Sequence, residues 1–98
     1  MDNYYYNKEI IELTGLLNSE FHELRQLLLD NNFDLNGALL VAYKEDKQGY
    51  ETGIFMTKEK DIYTFEKNMA DIFIKHVFNI NEINRQFPQV EAAINMSA

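Results

Sequence analysis

Residues 38–43, Ala-Leu-Leu-Val-Ala-Tyr, form an unbroken apolar run of six, with the turn-forming Asp34-Leu35-Asn36-Gly37 before it and the charged Lys44-Glu45-Asp46-Lys47 after it. A short apolar run bounded in this way reads as a strand. Simple alternation sends Leu39, Val41 and Tyr43 to one face and Ala38, Leu40 and Ala42 to the other, so neither face is polar. A sheet with one face in water shows a cleaner apolar/polar alternation. Both faces of this strand must therefore be covered, either by helices from the two ends of the chain or by the surface of another molecule.

The neighbouring segments build a sheet around it. After Glu45-Asp46-Lys47-Gln48-Gly49, a second run over 50–57 completes a hairpin, and Ile62-Tyr63-Thr64-Phe65-Glu66 follows the polar Lys58-Glu59-Lys60-Asp61 as a third strand. Upstream, Ile10, Leu13, Leu17, Phe21, Leu24 and Leu28 recur at steps of three or four, the spacing of a helix with one buried face. Asn7 is placed to cap it. Gly15 and Asn18-Ser19 leave two alternatives, one helix over 7–31 or two helices meeting near residue 18. Downstream, Met69, Ile72, Phe73, His76 and Val77 repeat the helical spacing and predict a helix over 67–78, started by Glu66 or Asn68. Asn81 is placed to cap a short turn through Phe87, and Pro88 to open a last helix with Val90, Ala93 and Ile94. The expected architecture is α+β: an N-terminal helical region, a three-stranded antiparallel meander and C-terminal helices. With 98 residues the chain can bury one core and not two, so it is read as a single domain over 1–98.

The residues that carry chemistry are sparse. Cysteine is absent, which removes disulfides and thiolate metal sites. His22 and His76 are the only histidines, too few for paired-histidine metal spacing within one element, and His22 between Glu20 and Glu23 reads as a solvated helix surface. Gly15, Gly37, Gly49 and Gly53 are scattered and do not form a phosphate-binding loop. Ser19, Thr57 and Thr64 read as a cap, a strand end and a strand residue, with no base beside any of them. No catalytic residue, metal or cofactor is expected, and the chain is not read as an enzyme. No apolar run approaches the ~20 residues of a membrane-spanning helix. The start, Met1-Asp2-Asn3, lacks the cationic and apolar regions of a secretory signal, so the expected compartment is the cytoplasm.

Charge and aromatic content point to a binding role. The net charge is −7, and residues 1–37 hold seven acids against Lys8 and Arg25, a net of −5. Phosphate binding needs clustered Lys and Arg, so direct nucleic-acid contact is not expected, whereas a basic protein partner is. Tyr4, Tyr5 and Tyr6 precede any regular element, and Tyr43, Tyr50 and Tyr63 lie on or beside strands, where their rings offer rigid contact area. The expectation is an acidic, non-enzymatic inhibitor or immunity-type protein that blocks a basic target, such as a nuclease toxin or a host defence nuclease. Glu9, Glu12, Glu20 and Glu23 with Tyr43, Tyr50 and Tyr63 are its candidate partner-binding residues. Lysines outnumber arginines seven to two, and Asn, Ile, Tyr and Phe are abundant, a bias of A/T-rich codons that suggests a bacterial or phage source. The alternatives are a homodimeric or assembly subunit that uses the second sheet face, and a small ligand-binding domain or enzyme with His22 or His76 beside a carboxylate.

Overall fold

The computed structural model describes residues 5–6, 11–13, 21–69, 71–86, 90 and 94–95. Its elements are β1 (Tyr5–Tyr6), β2 (Ile11–Glu12), α1 (His22–Asp30), β3 (Leu39–Glu45), β4 (Glu51–Met56), β5 (Ile62–Lys67), β6 (Ile72–His76) and α2 (Ile80–Gln86). Strands β3 to β6 form an antiparallel meander of four strands, and the short β1 and β2 pair antiparallel with the other edge of β3.

Short-range chemistry fixes the end of α1 and the three turns of the meander. The end of α1 is a Schellman closure: Asn32 takes a left-handed φ of 68°, its N–H bonds the Leu29 carbonyl at 3.0 Å, and the Phe33 N–H bonds the Leu28 carbonyl at 3.1 Å. In the β3–β4 loop the Asp46 carboxylate accepts from the N–H of Gln48 and of Tyr50, at 2.9 and 3.0 Å, and Gly49 adopts a φ of 85°. Thr57 Oγ1 accepts from the Asp61 N–H in the β4–β5 turn, and Asn68 Oδ1 from the Asp71 N–H in the β5–β6 turn.

Both faces of the sheet are covered from within the chain. On one, Phe21, Leu24 and Leu28 of the α1 region pack over Leu40, Tyr43, Phe55 and Phe65. On the other, Ile83 of α2 and the helical residues Val90 and Ile94 pack over Val41, Ala42, Ile54, Met56 and Ile62. A β-bulge between Leu40 and Ala42 lets β3 serve both layers. The register steps from Leu40↔Phe55 to Ala42↔Ile54, so Val41 and Ala42 share the α2 face and Tyr43 turns back to the α1 face.

Four expectations are corrected. The meander has four strands, not three, because the predicted helix over 67–78 is instead the β5–β6 turn and strand β6. The β-branched and aromatic Ile72-Phe73-Ile74 favours a pleated strand, and Asn68 bridges a hairpin turn instead of starting a helix. The N-terminal helical region does not fill 7–31: Ile11–Glu12 is a strand that continues into the Leu13 N–H bond to the Ala38 carbonyl at 2.9 Å, and the helix covers only His22–Asp30. Asn7, Gly15 and Asn18-Ser19, on which the one-or-two-helix alternatives turned, lie outside the described residues. Finally, the bulge moves Tyr43 to the face of Leu40, against simple alternation, while Leu39, Val41 and Ala42 go together. In the C-terminal region, α2 opens at Ile80, one residue before the expected cap Asn81; Phe87, Pro88 and Ala93 lie outside the described residues.

Two substitutions test this packing. Leu24 is 1% exposed beneath α1, so Leu24→Ala should cost ~2–5 kcal/mol in denaturant unfolding. Gly53 faces the same layer, where an added Cβ would lie 2.4 Å from the Ala42 carbonyl oxygen and 2.7 Å from the Phe65 ring. Gly53→Ala is expected to destabilise by ~1–3 kcal/mol, although alanine is otherwise an ordinary exchange for a strand glycine.

Candidate functional site

One end of the α1-side core is polar. Alternation along β5 turns Lys67 to the same face as Phe65, and its side chain is only 3% exposed. Lys67 Nζ donates to Glu51 Oε2 at 2.8 Å, to the Asn68 carbonyl at 3.2 Å and to Glu23 Oε2 at 3.4 Å. Glu51 lies directly across from Lys67 in the β4–β5 pairing, and its other oxygen accepts from the Tyr43 hydroxyl at 2.5 Å. Strands β3, β4 and β5 and the first turn of α1 thus meet in one hydrogen-bonded cluster.

Burial pushes the Lys67 pKa down, but its hydrogen bond to Glu51 and the charges of Glu51 and Glu23 outweigh this, and the net direction is up from the ordinary lysine value of 10.5. An ammonium held this way stays charged at neutral pH and is not the free amine of a nucleophile or base. The cluster ties β4 to β5 through the 2.8 Å pair and reaches the first turn of α1 through the longer contact to Glu23. Because the folded-state pKa is raised, its contribution to stability is complete below 10.5 and is lost as pH rises through the raised value.

The candidate partner-binding residues are dispersed. Glu9 and Glu20 lie outside the described residues, and the backbone of Glu12 is in β2. Glu23 is exposed, at 79%, yet one of its oxygens faces Lys67. Tyr43 is buried, edge-on to Phe21, and Tyr63 is half-buried, stacked on Phe55 with centroids 5.2 Å apart and packed against Phe33 and His76. Tyr50 alone of the three presents its ring to solvent, at 56%. His22 is exposed on α1, and His76 is in β6, not a helix, with Nε2 3.7 Å from Asp61 Oδ1. Among the described residues no group of three His, Asp or Glu side chains is placed to hold a metal.

The most open apolar surface surrounds β6. No described strand pairs with its outer edge. The Val77 N–H bonds the Ile62 carbonyl at 2.8 Å, and the Asp71 carbonyl accepts from the Asn68 N–H at 3.0 Å, so the odd-numbered backbone groups point to β5 and those of Ile72, Ile74 and His76 point outward. Phe73 is 68% exposed on this strand, with Met69 at 93% in the preceding turn and Phe78 at 88% just beyond it. Phe73 also borders two shallow grooves, one of about 270 Å³ with Tyr50 and Lys67 and one of about 380 Å³ with Lys75 and Ile83. The helical reading of 67–78 hid this edge; the signal available was Asn68-x-x-Asp71 followed by Ile-Phe-Ile.

Comparison with known protein families, curated proteins and solved structures gives no match. No helix among the described residues is long and apolar enough to cross a membrane.

Lys67→Ala would leave Glu51 without its cation and should cost ~3 kcal/mol at neutral pH in urea or guanidinium unfolding. The gap between this variant and the parent should narrow as pH rises above the lysine range; a gap independent of pH would mean that the ammonium charge is not what stabilises the cluster.

Proposed function

We propose that this chain is a non-enzymatic, cytoplasmic protein-binding domain that takes a strand of its partner onto the outer edge of β6. The observation that carries this reading is a row of outward backbone donors and acceptors on Ile72, Ile74 and His76 with no partner strand among the described residues, bordered by the exposed Phe73, Met69 and Phe78. Strand addition draws affinity from such main-chain groups and selectivity from the side chains beside them. With the α1 and α2 layers packed on the two sheet faces, the surroundings of this edge hold the most exposed large apolar side chains among the described residues, Met69, Phe78 and Phe73.

A second reading is favoured by charge. A net −7 and the exposed Glu23 suit an inhibitor that occupies the groove of a basic target, such as a nuclease toxin or host defence nuclease, with electrostatic steering of the encounter. Paired variants separate the two. If the β6 edge is the contact, Phe73→Asp or Ile74→Pro should abolish association measured by affinity capture and by sedimentation, while Glu12→Lys with Glu23→Lys, shown by circular dichroism to remain folded despite the new cation beside Lys67, leaves it within a few-fold. The opposite pattern, with association also lost in high salt, would assign the contact to the acidic surface.

A further inference from the structure

We infer that the strand received by β6 is β6 of a second copy of this chain, paired antiparallel about a two-fold axis at Phe73. This rests on the strand-addition reading above and names its partner. In an antiparallel pair centred on one residue, positions equally spaced before and after it face each other across the two strands. Centring on Phe73 sets Asp71 against Lys75 of the second copy, and Lys75 against its Asp71, with Phe73 against Phe73 between them.

The outward backbone groups fit this register. Ile72 and Ile74 point away from β5, so Ile72 would exchange both backbone bonds with Ile74 of the other copy, and Ile74 with its Ile72. Phe73, Asp71 and Lys75 then occupy the non-hydrogen-bonded positions, where facing side chains approach most closely. All three are exposed and share the face opposite Ile72 and Ile74, which pack toward the α1 core. The edge is therefore self-complementary in hydrogen bonds, in aromatic surface and in charge. A foreign partner would need none of this symmetry. The two four-stranded meanders would join edge to edge as eight consecutive antiparallel strands, with β1 and β2 of each copy at the outer ends, and Phe73 would leave solvent.

The contact is one five-residue strand with a few flanking side chains, small against the ~1,200–2,000 Å² of stable complexes, so association should depend strongly on concentration. The test is equilibrium sedimentation up to ~1 mM chain, on the parent, on Asp71→Lys and on Lys75→Asp, each checked for folding by circular dichroism. Each single variant places two like-charge pairs in the interface and should weaken self-association on the order of tenfold or more. Mixed together they should re-form a 1:1 heterodimer, because all facing pairs are again opposite in charge. In the parent, amide exchange at Ile72 and Ile74 should slow as concentration rises.

A parent that stays monomeric throughout would overturn the second-copy inference while leaving strand addition to be judged by the Phe73 and Ile74 variants with another partner. A dimer that ignores both charge reversals, or fails to re-form on mixing, would overturn the register. Association, with self or with another protein, that persists unchanged in Phe73→Asp and Ile74→Pro would sink the strand-addition reading itself.

Discussion

Strand β3 is apolar on both faces and paired on both edges, and the rest of the molecule is arranged around satisfying it. Its backbone bonds β4 on one side and the short β1 and β2 on the other. Its side chains enter two separate cores, Leu40 and Tyr43 under α1, and Val41 and Ala42 under the C-terminal helical residues. A regular strand divides its residues evenly between two faces; the bulge at residue 41 instead places two consecutive small apolar residues on the α2 side and returns the large Tyr43 to the α1 side. Both ends of the chain are thereby committed to covering one central strand.

That commitment explains where polar groups are tolerated. Tyr43 brings a hydroxyl into the α1 layer, and Glu51 and Lys67 bring opposite charges to the same end of the sheet. None could be buried alone at reasonable cost. Together with Glu23 they satisfy one another, and the excess of carboxylate around a single ammonium accounts for the upward shift of Lys67 despite its burial. Within the cluster the contacts of Tyr43, Glu51 and Lys67 tie strands β3, β4 and β5 together, and Glu23 extends them to the first turn of α1.

Coverage of the faces also leaves the edges distinct. One side of the meander is capped by β1 and β2, while β6 is the last strand and carries Phe73 into solvent. Natural edges are usually blunted by charge or by shortness. Here the charges of Asp71 and Lys75 flank the Phe73 ring in an order that repels nothing when two such strands meet antiparallel, as the proposed self-pairing requires.

The sequence by itself determined the local features. The turns around Gly37, Asp46 and Gly49 are legible from residue types that satisfy backbone groups or take positive φ within their own few residues, and the strand segments around 38–45, 50–57 and 62–66 are legible from length and flanking turns. That β3 needed cover on both faces was legible too, from the absence of a polar face. What only tertiary structure decided was which period the ambiguous segments adopt and which side chains meet. Residues 72–76 became a strand because β5 offered them an edge to pair with, and a five-residue stretch has too few positions to tell helical from strand spacing. Residues 11–12 were drawn to β3 for the same reason. The Tyr43–Glu51–Lys67–Glu23 cluster joins positions up to 44 apart in the chain, and no local pattern encodes it; its geometry exists only once the bulge has set the face of Tyr43 and α1 has docked.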